Sequence, residues 1–290
     1  MALNIKQLGI RSLSGIVYAG LIVGAVLWGA TGVALLSSLF AFFASYELER
    51  PLMKDGEMEI RSYTWIIDAA AAVCLIWTGA IINWYVPWTL FFWVILMAFG
   101  FVIQIFIIQS KPLMSISVST FVQFYIAVPL ALFVYLAQLL SFNPWILICA
   151  VAMIWINDTG AYLVGSLLGK HKMFPRLSPK KSWEGFLGGL AFNIGISFIY
   201  FYCFHLNEIN LFDSVDGWIF IGICVSATAT LGDLFESMLK RSFNIKDFGN
   251  LIPGHGGVLD RIDSLLFVIP GVLLLIVVAY AMFLPPLTIY

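Results

Sequence analysis

Long apolar stretches alternate with short polar ones along the whole chain. A membrane-spanning helix needs about 20 apolar residues, and nine segments approach that length. They lie near residues 13–30, 31–47, 63–84, 87–109, 119–140, 144–167, 184–205, 217–239 and 264–284. The pattern predicts an all-α, polytopic integral membrane protein with about nine transmembrane helices.

The first two segments form one apolar run interrupted only by "GATG", Gly29 to Gly32, which is either a tight hairpin or part of one long helix. With a hairpin, all fifteen Lys and Arg residues fall on one side, in the N-terminus and the loops around 48–62, 110–118, 168–183 and 240–263. A single helix would leave Lys6 and Arg11 on the other side. We therefore predict the hairpin, and the positive-inside rule predicts a cytoplasmic N-terminus.

Composition excludes a soluble globule, because 61% of the 290 residues are hydrophobic and only 11% are charged. The net charge of −1 indicates no particular partner. The four cysteines lie in apolar segments and are predicted to be buried without disulfides. Polar chemistry concentrates in the second half. We therefore divide the chain into N-terminal membrane helices, 1–140, and a C-terminal membrane part expected to carry the chemistry, 141–290, with polar loops 168–183 and 240–263.

A polar stripe marks the cytoplasmic end of the eighth predicted helix. Ser226, Thr230, Asp233 and Ser237 share one helical face, and Glu236 follows Asp233 by three positions. An ionised side chain at the bilayer centre costs roughly 2.5–3.5 kcal/mol, so such residues usually serve a function. The alternative is that Asp233 pairs with a lysine to hold helices together.

The segment "GHGGVLDRID", residues 254 to 263, carries two more carboxylates. If the last helix begins near Leu259, Asp260 and Asp263 lie on one face at its start. Carboxylates crowded on two helix ends repel one another unless a cation lies among them, and Mg²⁺ prefers oxygen ligands. We therefore predict that Asp233, Asp260 and Asp263 bind a metal. The alternative, stabilisation of the helix dipole, explains one aspartate but hardly both.

Glycines just before these aspartates suit phosphate binding, because Gly256 and Gly257 allow a ligand close to the backbone amides. The alternative is an ordinary turn. Basic side chains strengthen the phosphate interpretation, although His255 is also placed to cap the helix. They are Lys240, Arg241, Lys246 and His255.

Residues 155 to 189 form the second polar region. Asp158, Tyr162 and Ser166 share one helical face that leads into a basic loop containing Lys180 and Lys181. The alternative is that such a loop serves only to attract anionic lipid headgroups. The sequence "SPKKSWEG" favours an ordered loop instead, because Pro179 is expected to fix a turn and Ser182 to cap the next helix. Glycines at 185, 188 and 189 predict close helix packing.

The segment "SMLKRSFNIKDFGNLIPGHGGVLDRID", residues 237 to 263, resembles the signature of the phosphatidate cytidylyltransferases. "NDTGAY", "GK" and "SPKKSWEG" look like the second conserved block of that family, and together the resemblance covers about residues 155 to 265. It implies transfer of the cytidylyl group of CTP to phosphatidate, giving CDP-diacylglycerol and pyrophosphate. It also implies Mg²⁺, with room for a second cation, and a homodimer.

On this interpretation the catalytic residues are Asp233, Asp260, Asp263 and Lys181, and the three aspartates hold the metal. The expected substrate-binding residues are Asp158, Ser178, Lys180, Lys240, Arg241, Lys246, His255, Gly256, Gly257 and Arg261. We expect an enzyme of the inner membrane whose site faces the cytoplasm, with no nucleic-acid partner.

Two other functions remain open at this stage. One is a CTP-dependent kinase that phosphorylates a polyprenol or phytol. The other is an ion-coupled transporter that uses Asp68, Asp158 and Asp233 as a path through the membrane.

Overall fold

The computed structural model describes residues 5–54, 64–80, 86–106, 112–141, 143–205, 215–252 and 256–283. Within these ranges the chain forms nine helices and one two-stranded hairpin. The helices are α1 Ile5–Leu27, α2 Ala30–Lys54, α3 Thr64–Ala80, α4 Val86–Phe106, α5 Pro112–Leu139, α6 Pro144–Leu168, α7 Trp183–His205, α8 Val215–Ser242 and α9 Leu259–Phe283. The hairpin strands are β1 Lys172–Phe174 and β2 Ser178–Ser182.

Six helices, α2 and α5 to α9, contain stretches long and apolar enough to cross a membrane, and α1, α3 and α4 contain shorter apolar stretches. The prediction of a polytopic, helical membrane protein is confirmed. That all nine helices cross the bilayer, and that the N-terminus is cytoplasmic, stay predictions.

The predicted break within "GATG" is confirmed, because α1 ends at Leu27 and α2 begins at Ala30. Gly29 has a φ of 89°, a left-handed conformation that glycine adopts without strain. A Cβ at Gly32 would lie 2.7 Å from Cβ of Trp28, so this position also requires glycine. Gly29 therefore forms a tight turn between separate helices, and Gly32 lets the first turn of α2 pack closely against the end of α1.

The contacts divide the chain into two compact units. One comprises Met1–Pro144 and Lys240–Ile262, and the other comprises Trp145–Leu239 and Asp263–Tyr290. The first unit therefore contains α1 to α5 and the described residues 240–252 and 256–262. The second contains α6, the hairpin, α7 and most of α8 and α9.

In the first unit, α3 packs against α2, α4 and α5. Small side chains permit this packing: Ala41 on α2 and Ala71 on α3 are fully buried. A Cβ at Gly79 of α3 would lie 2.7 Å from the carbonyl oxygen of Ala131 on α5. The helices thus approach to backbone contact.

A buried polar network joins α2, α3 and α5. The Thr64 hydroxyl donates to Glu49 Oε2 at 2.9 Å, and the Ser119 hydroxyl donates to Asp68 Oδ2 at 2.8 Å. Gln123 lies in a π-helical turn of α5, Gln123–Ala127, and its amide donates to the backbone oxygen of Asp68 at 2.9 Å. Asp68 is therefore held in a network between helices.

In the second unit, polar side chains also join α7 to α8. Asn193 Nδ2 donates to Ser226 Oγ at 2.9 Å, and Ser197 Oγ donates to the backbone oxygen of Trp218 at 2.9 Å. All four residues are fully buried. Hydrogen bonds of this kind satisfy polar groups that the membrane interior cannot hydrate.

Two segments expected as loops contain regular structure. Helix α2 continues through Pro51 to Lys54, and the basic segment 168–183 contains the β1–β2 hairpin. The prediction of a turn at Pro179 is wrong. Pro179 lies within β2, and the turn is at Pro175, where the Leu177 amide donates to the Phe174 carbonyl at 3.1 Å. Proline is favoured at the second position of such a turn because its φ is already correct.

Candidate active site

Three carboxylates converge at the ends of α8 and α9. Asp233, Glu236 and Asp263 each offer an oxygen, and these three oxygens lie within 4.8 Å of one another. Gly232 permits this approach, because a Cβ there would lie 2.7 Å from the carbonyl oxygen of Asp263 and 3.0 Å from Cα of Ser264. We call Asp233, Glu236 and Asp263 the acidic trio.

The hairpin presents Lys181 to the acidic trio. Its ammonium lies 2.6 Å from Asp233 Oδ2 and 3.4 Å from the carbonyl oxygen of Thr230, one turn earlier on α8. The two charged side chains remain 24% and 40% exposed, so water still reaches the pair. A cation and three carboxylates therefore lie in one half-open polar site.

Contacts at the base of the hairpin fix the direction of β2. The backbone amide of His171 donates to Glu184 at 3.1 Å, and its ring Nδ1 lies 2.5 Å from the same carboxylate. The Trp183 amide donates to the His171 carbonyl at 2.9 Å. Ser182 Oγ accepts the Gly185 amide at 3.2 Å, which confirms the predicted cap. Lys181 therefore lies just before the start of α7, and these hydrogen bonds hold that helix start in place.

The predicted close packing around Gly185, Gly188 and Gly189 is confirmed. A Cβ at Gly189 would lie 2.8 Å from the Asn157 carbonyl oxygen, and a Cβ at Gly185 would lie 2.9 Å from that of Ala161. A Cβ at Gly188 would collide with Val164. Helices α6 and α7 therefore meet at backbone distance, which brings the polar face of α6 beside the hairpin.

A cavity of about 650 Å³ lies among these elements. The predicted face of α6 contributes Asp158, Tyr162 and Ser166, all of which line it. The other predicted residues in its wall are Ser178, Lys180, Lys181 and Asp233. Five of the predicted site residues, Asp158 among them, are thus brought to one cavity within the second unit.

The structure gives Asp260 a different set of contacts. Its Oδ1 accepts the Lys240 ammonium at 3.1 Å, and its Oδ2 accepts the backbone amides of Phe248 and Gly257 at 3.1 and 2.8 Å. The side chain is only 3% exposed. Asp260 therefore holds the end of α8 and two points of the signature loop, which we define as the described residues 243–252 and 256–258.

Gly256 is needed at its position in the signature loop. Gly256 has a φ of 87°, and a Cβ there would lie 2.8 Å from Asp260 Oδ2. The Ile252 amide donates to the Gly256 carbonyl at 2.9 Å across an isolated β-bridge. These contacts give the loop a defined shape, whereas phosphate binding by Gly256 and Gly257 stays a prediction.

The remaining predicted basic residues differ in environment. Lys240 is largely buried against Asp260, whereas Arg241, Lys246 and Arg261 are exposed. The Arg261 carbonyl accepts the Tyr18 hydroxyl at 2.9 Å. His255 lies outside the described residues.

Two carboxylates have a larger part in the structure than the sequence indicated. Glu236 was noted beside Asp233 but not assigned as a ligand, although its position three residues later on the helix was the available signal. Glu47 was not identified. It lies on α2, is 4% exposed, and accepts the backbone amides of Val258 and Leu259 at 3.1 and 2.9 Å. An acidic residue in an apolar segment was the only signal for it.

The helices and these polar clusters define an integral membrane protein with a carboxylate and lysine site at helix ends. The sequence pattern of the cytidylyltransferase family matches residues 9–279, and the chain belongs to this family. It is 32% identical over 263 residues to the phosphatidate cytidylyltransferase of Staphylococcus haemolyticus, covering 90% of this chain and 96% of that protein. The Staphylococcus saprophyticus protein of the same name is equally similar over 263 residues, with the same coverage. That of Staphylococcus aureus is 37% identical over 179 residues, covering 60% of this chain and 65% of that protein.

Proposed function

We propose that this chain transfers the cytidylyl group of CTP to phosphatidate, giving CDP-diacylglycerol and pyrophosphate. Membership of the cytidylyltransferase family and two nearly full-length relatives named phosphatidate cytidylyltransferase support the reaction. The observation that carries the site is that Asp233 belongs both to the acidic trio and to the cavity wall with Lys181.

Both substrates are polyanions. A phosphate oxygen of phosphatidate attacks the α-phosphorus of CTP, the bond to the β-phosphate oxygen breaks, and pyrophosphate leaves. Such a transfer depends on positioning and charge neutralisation rather than on a covalent protein intermediate. Lys180, Lys181 and Ser178 line the cavity and offer donors to phosphate oxygens.

The acidic trio fits Mg²⁺, because all its ligands are carboxylate oxygens. Three carboxylates and the Lys181 ammonium together carry two negative charges, which attract a divalent cation. When bound, Mg²⁺ supplies positive charge that offsets the charge of the phosphates and the leaving pyrophosphate. Asp233 and Asp263 are predicted ligands that belong to the trio, and Glu236 joins them. Asp260 as a further ligand, and a second cation, stay predictions.

The rest of the proposal concerns the setting of the enzyme. All Lys and Arg residues lie on one side of the nine-span arrangement, which supports a site facing the cytoplasm of the inner membrane. CTP then arrives from water, while the acyl chains of phosphatidate stay in the bilayer. Lys240, Arg241, Lys246, His255 and Arg261 remain proposed contacts of the phosphates. A homodimer also remains proposed, and cross-linking of the purified protein tests it.

The decisive experiment supplies the purified protein with phosphatidate, Mg²⁺ and CTP labelled at either the α- or the γ-phosphorus. We expect label in the lipid from the α-position only, together with released pyrophosphate. Label from the γ-position only would instead show a lipid kinase, and no label in lipid from either position would favour a carrier. Both of these outcomes contradict the proposal.

A further inference from the structure

Glu47 is an acidic residue in the middle of the N-terminal helices, yet its partners lie more than 200 positions later. Its carboxylate is bidentate: Oε1 accepts the amide of Val258 and Oε2 accepts the amide of Leu259. Helix α9 begins at Leu259, so these are donors that no earlier helical turn satisfies. An anion at this position is also favoured by the helix dipole.

Two glycines of the signature loop lie against the same carboxylate. A Cβ at Gly257 would lie 2.6 Å from Cδ of Glu47, and a Cβ at Gly249 would lie 2.8 Å from that atom. The two glycines are eight positions apart in the loop, and both lie against the Glu47 side chain. Because neither glycine has a side chain, there is room for the Glu47 carboxylate between them and the backbone amides it accepts.

Glu47 and Asp260 hold complementary parts of the loop. Asp260 accepts the amides of Phe248 and Gly257, while Glu47 accepts those of Val258 and Leu259. Both residues are buried, at 4% and 8% exposure, where an unmade hydrogen bond is costly. Two carboxylates thus fix the loop at Phe248 and at its junction with α9.

We propose that Glu47 is a positioning residue for the reaction, which holds the signature loop and the first turn of α9 in their working arrangement. The inference rests on the proposed function for its catalytic consequence. Asp263 of the acidic trio follows Leu259 by one helical turn on α9, so the start of this helix sets where that carboxylate stands. Glu47 acts through the backbone and touches no reacting atom.

The test uses the full-length protein with Glu47→Gln, which keeps the size but replaces one acceptor oxygen by a donor. We expect hydrogen–deuterium exchange in peptides covering 248–259 to rise about tenfold or more, because hydrogen bonds to a charged acceptor are lost. Peptides from α7 should exchange as in the parent. We also expect a lower kcat and a higher Mg²⁺ concentration for half-maximal turnover.

Glu49→Gln is the matched control, since Glu49 is fully buried on the same helix but is bonded to Thr64 rather than to the loop. It should leave exchange in 248–259 and the Mg²⁺ requirement unchanged, even if it lowers the melting temperature. Should Glu47→Gln fail to fold, Glu47→Asp keeps the charge, shortens the reach and should raise exchange in the same peptides.

Unchanged exchange in 248–259 in the folded Glu47 variant would overturn the inference. So would raised exchange with a parental kcat and Mg²⁺ requirement, because the loop would then not need to be held for catalysis. A parent protein without cytidylyl transfer would refute the proposed function separately. In that case, the rise in melting temperature caused by Mg²⁺ replaces turnover as the second readout. An equal rise in the parent and the Glu47 variant would contradict the positioning role of Glu47.

Discussion

Replacement of Lys181 by methionine should have opposite effects on metal binding and on turnover. The Lys181 ammonium lies 2.6 Å from Asp233 Oδ2, an oxygen of a carboxylate that belongs to the acidic trio. The ammonium and a metal ion thus compete for the same carboxylate. Lys181→Met removes the competitor, so Mg²⁺ should bind more tightly even though the enzyme becomes slower.

The size of the effect follows from the geometry. At the dielectric constant of water, two unit charges at this separation attract by about 1.6 kcal/mol. The water value is appropriate because the two side chains are 24% and 40% exposed. Measured exposed pairs reach up to about 1 kcal/mol. Mg²⁺ should therefore bind roughly 5 to 15 times more tightly.

Turnover should fall in the same variant. A positioned donor to a developing charge is worth about a hundredfold to a thousandfold in kcat. Folding should be little affected, because a half-exposed ion pair contributes at most about 1 kcal/mol to stability. The sign of the metal effect distinguishes this reasoning from simple damage to the site, which would weaken Mg²⁺ binding and turnover together.

The assay combines a melting curve at each Mg²⁺ concentration, which reports binding to the native state, with transfer of α-labelled CTP to phosphatidate. Lys180→Met is the matched control for metal binding, because Lys180 is an exposed residue of the same cavity wall. Its Mg²⁺ titration should match the parent. Weaker or unchanged Mg²⁺ binding in Lys181→Met, or parental turnover, would refute the reasoning.

Three further predictions test the site and its orientation. Asp233→Asn and Asp263→Asn should each raise the Mg²⁺ concentration needed for half-maximal turnover, and a variant with the parental Mg²⁺ dependence would remove its residue from the metal site. Without metal, Asp263→Asn should melt no earlier than the parent protein, because repulsion among the carboxylates is relieved. Asp260→Asn should lower the melting temperature with and without Mg²⁺ if the residue shapes the loop, whereas a loss confined to Mg²⁺ stabilisation would make it a ligand. In a functional cysteine-free background, a cysteine at Ser214 should react with an impermeant thiol reagent from outside and one at Ser178 only after lysis; labelling from the same side would contradict the nine-span arrangement.

Much of the fold could be predicted because membrane helices are long and apolar. The break near Gly29 followed from the distribution of basic residues, and α9 begins at Leu259, the start assumed when Asp260 and Asp263 were placed on one face. The polar face of α6 could be predicted as well, since residues four apart on a helix lie on one side. These are local regularities, and the structure confirms them.

The rest depends on contacts between distant residues. Asp260 and Asp263 are three positions apart, and spacing alone suggested that both serve the same metal. Asp260 instead accepts amides from a loop whose path no periodicity describes. Glu47 is more remote still, because its partner amides lie 211 and 212 positions along the chain. The hairpin was missed because its strands lack the alternation of a half-buried sheet.

The close fit of Gly249 and Gly257 around Glu47 couples three positions by size. Any side chain at either glycine would occupy the volume that the Glu47 carboxylate fills. An alanine at either position is therefore tolerated only if residue 47 has a shorter acidic side chain. We therefore expect these positions to covary among homologues, with aspartate at 47 where either glycine is replaced. Chimeras that combine N-terminal helices from one homologue with the signature segment of another should succeed only when the three residues are exchanged as a set.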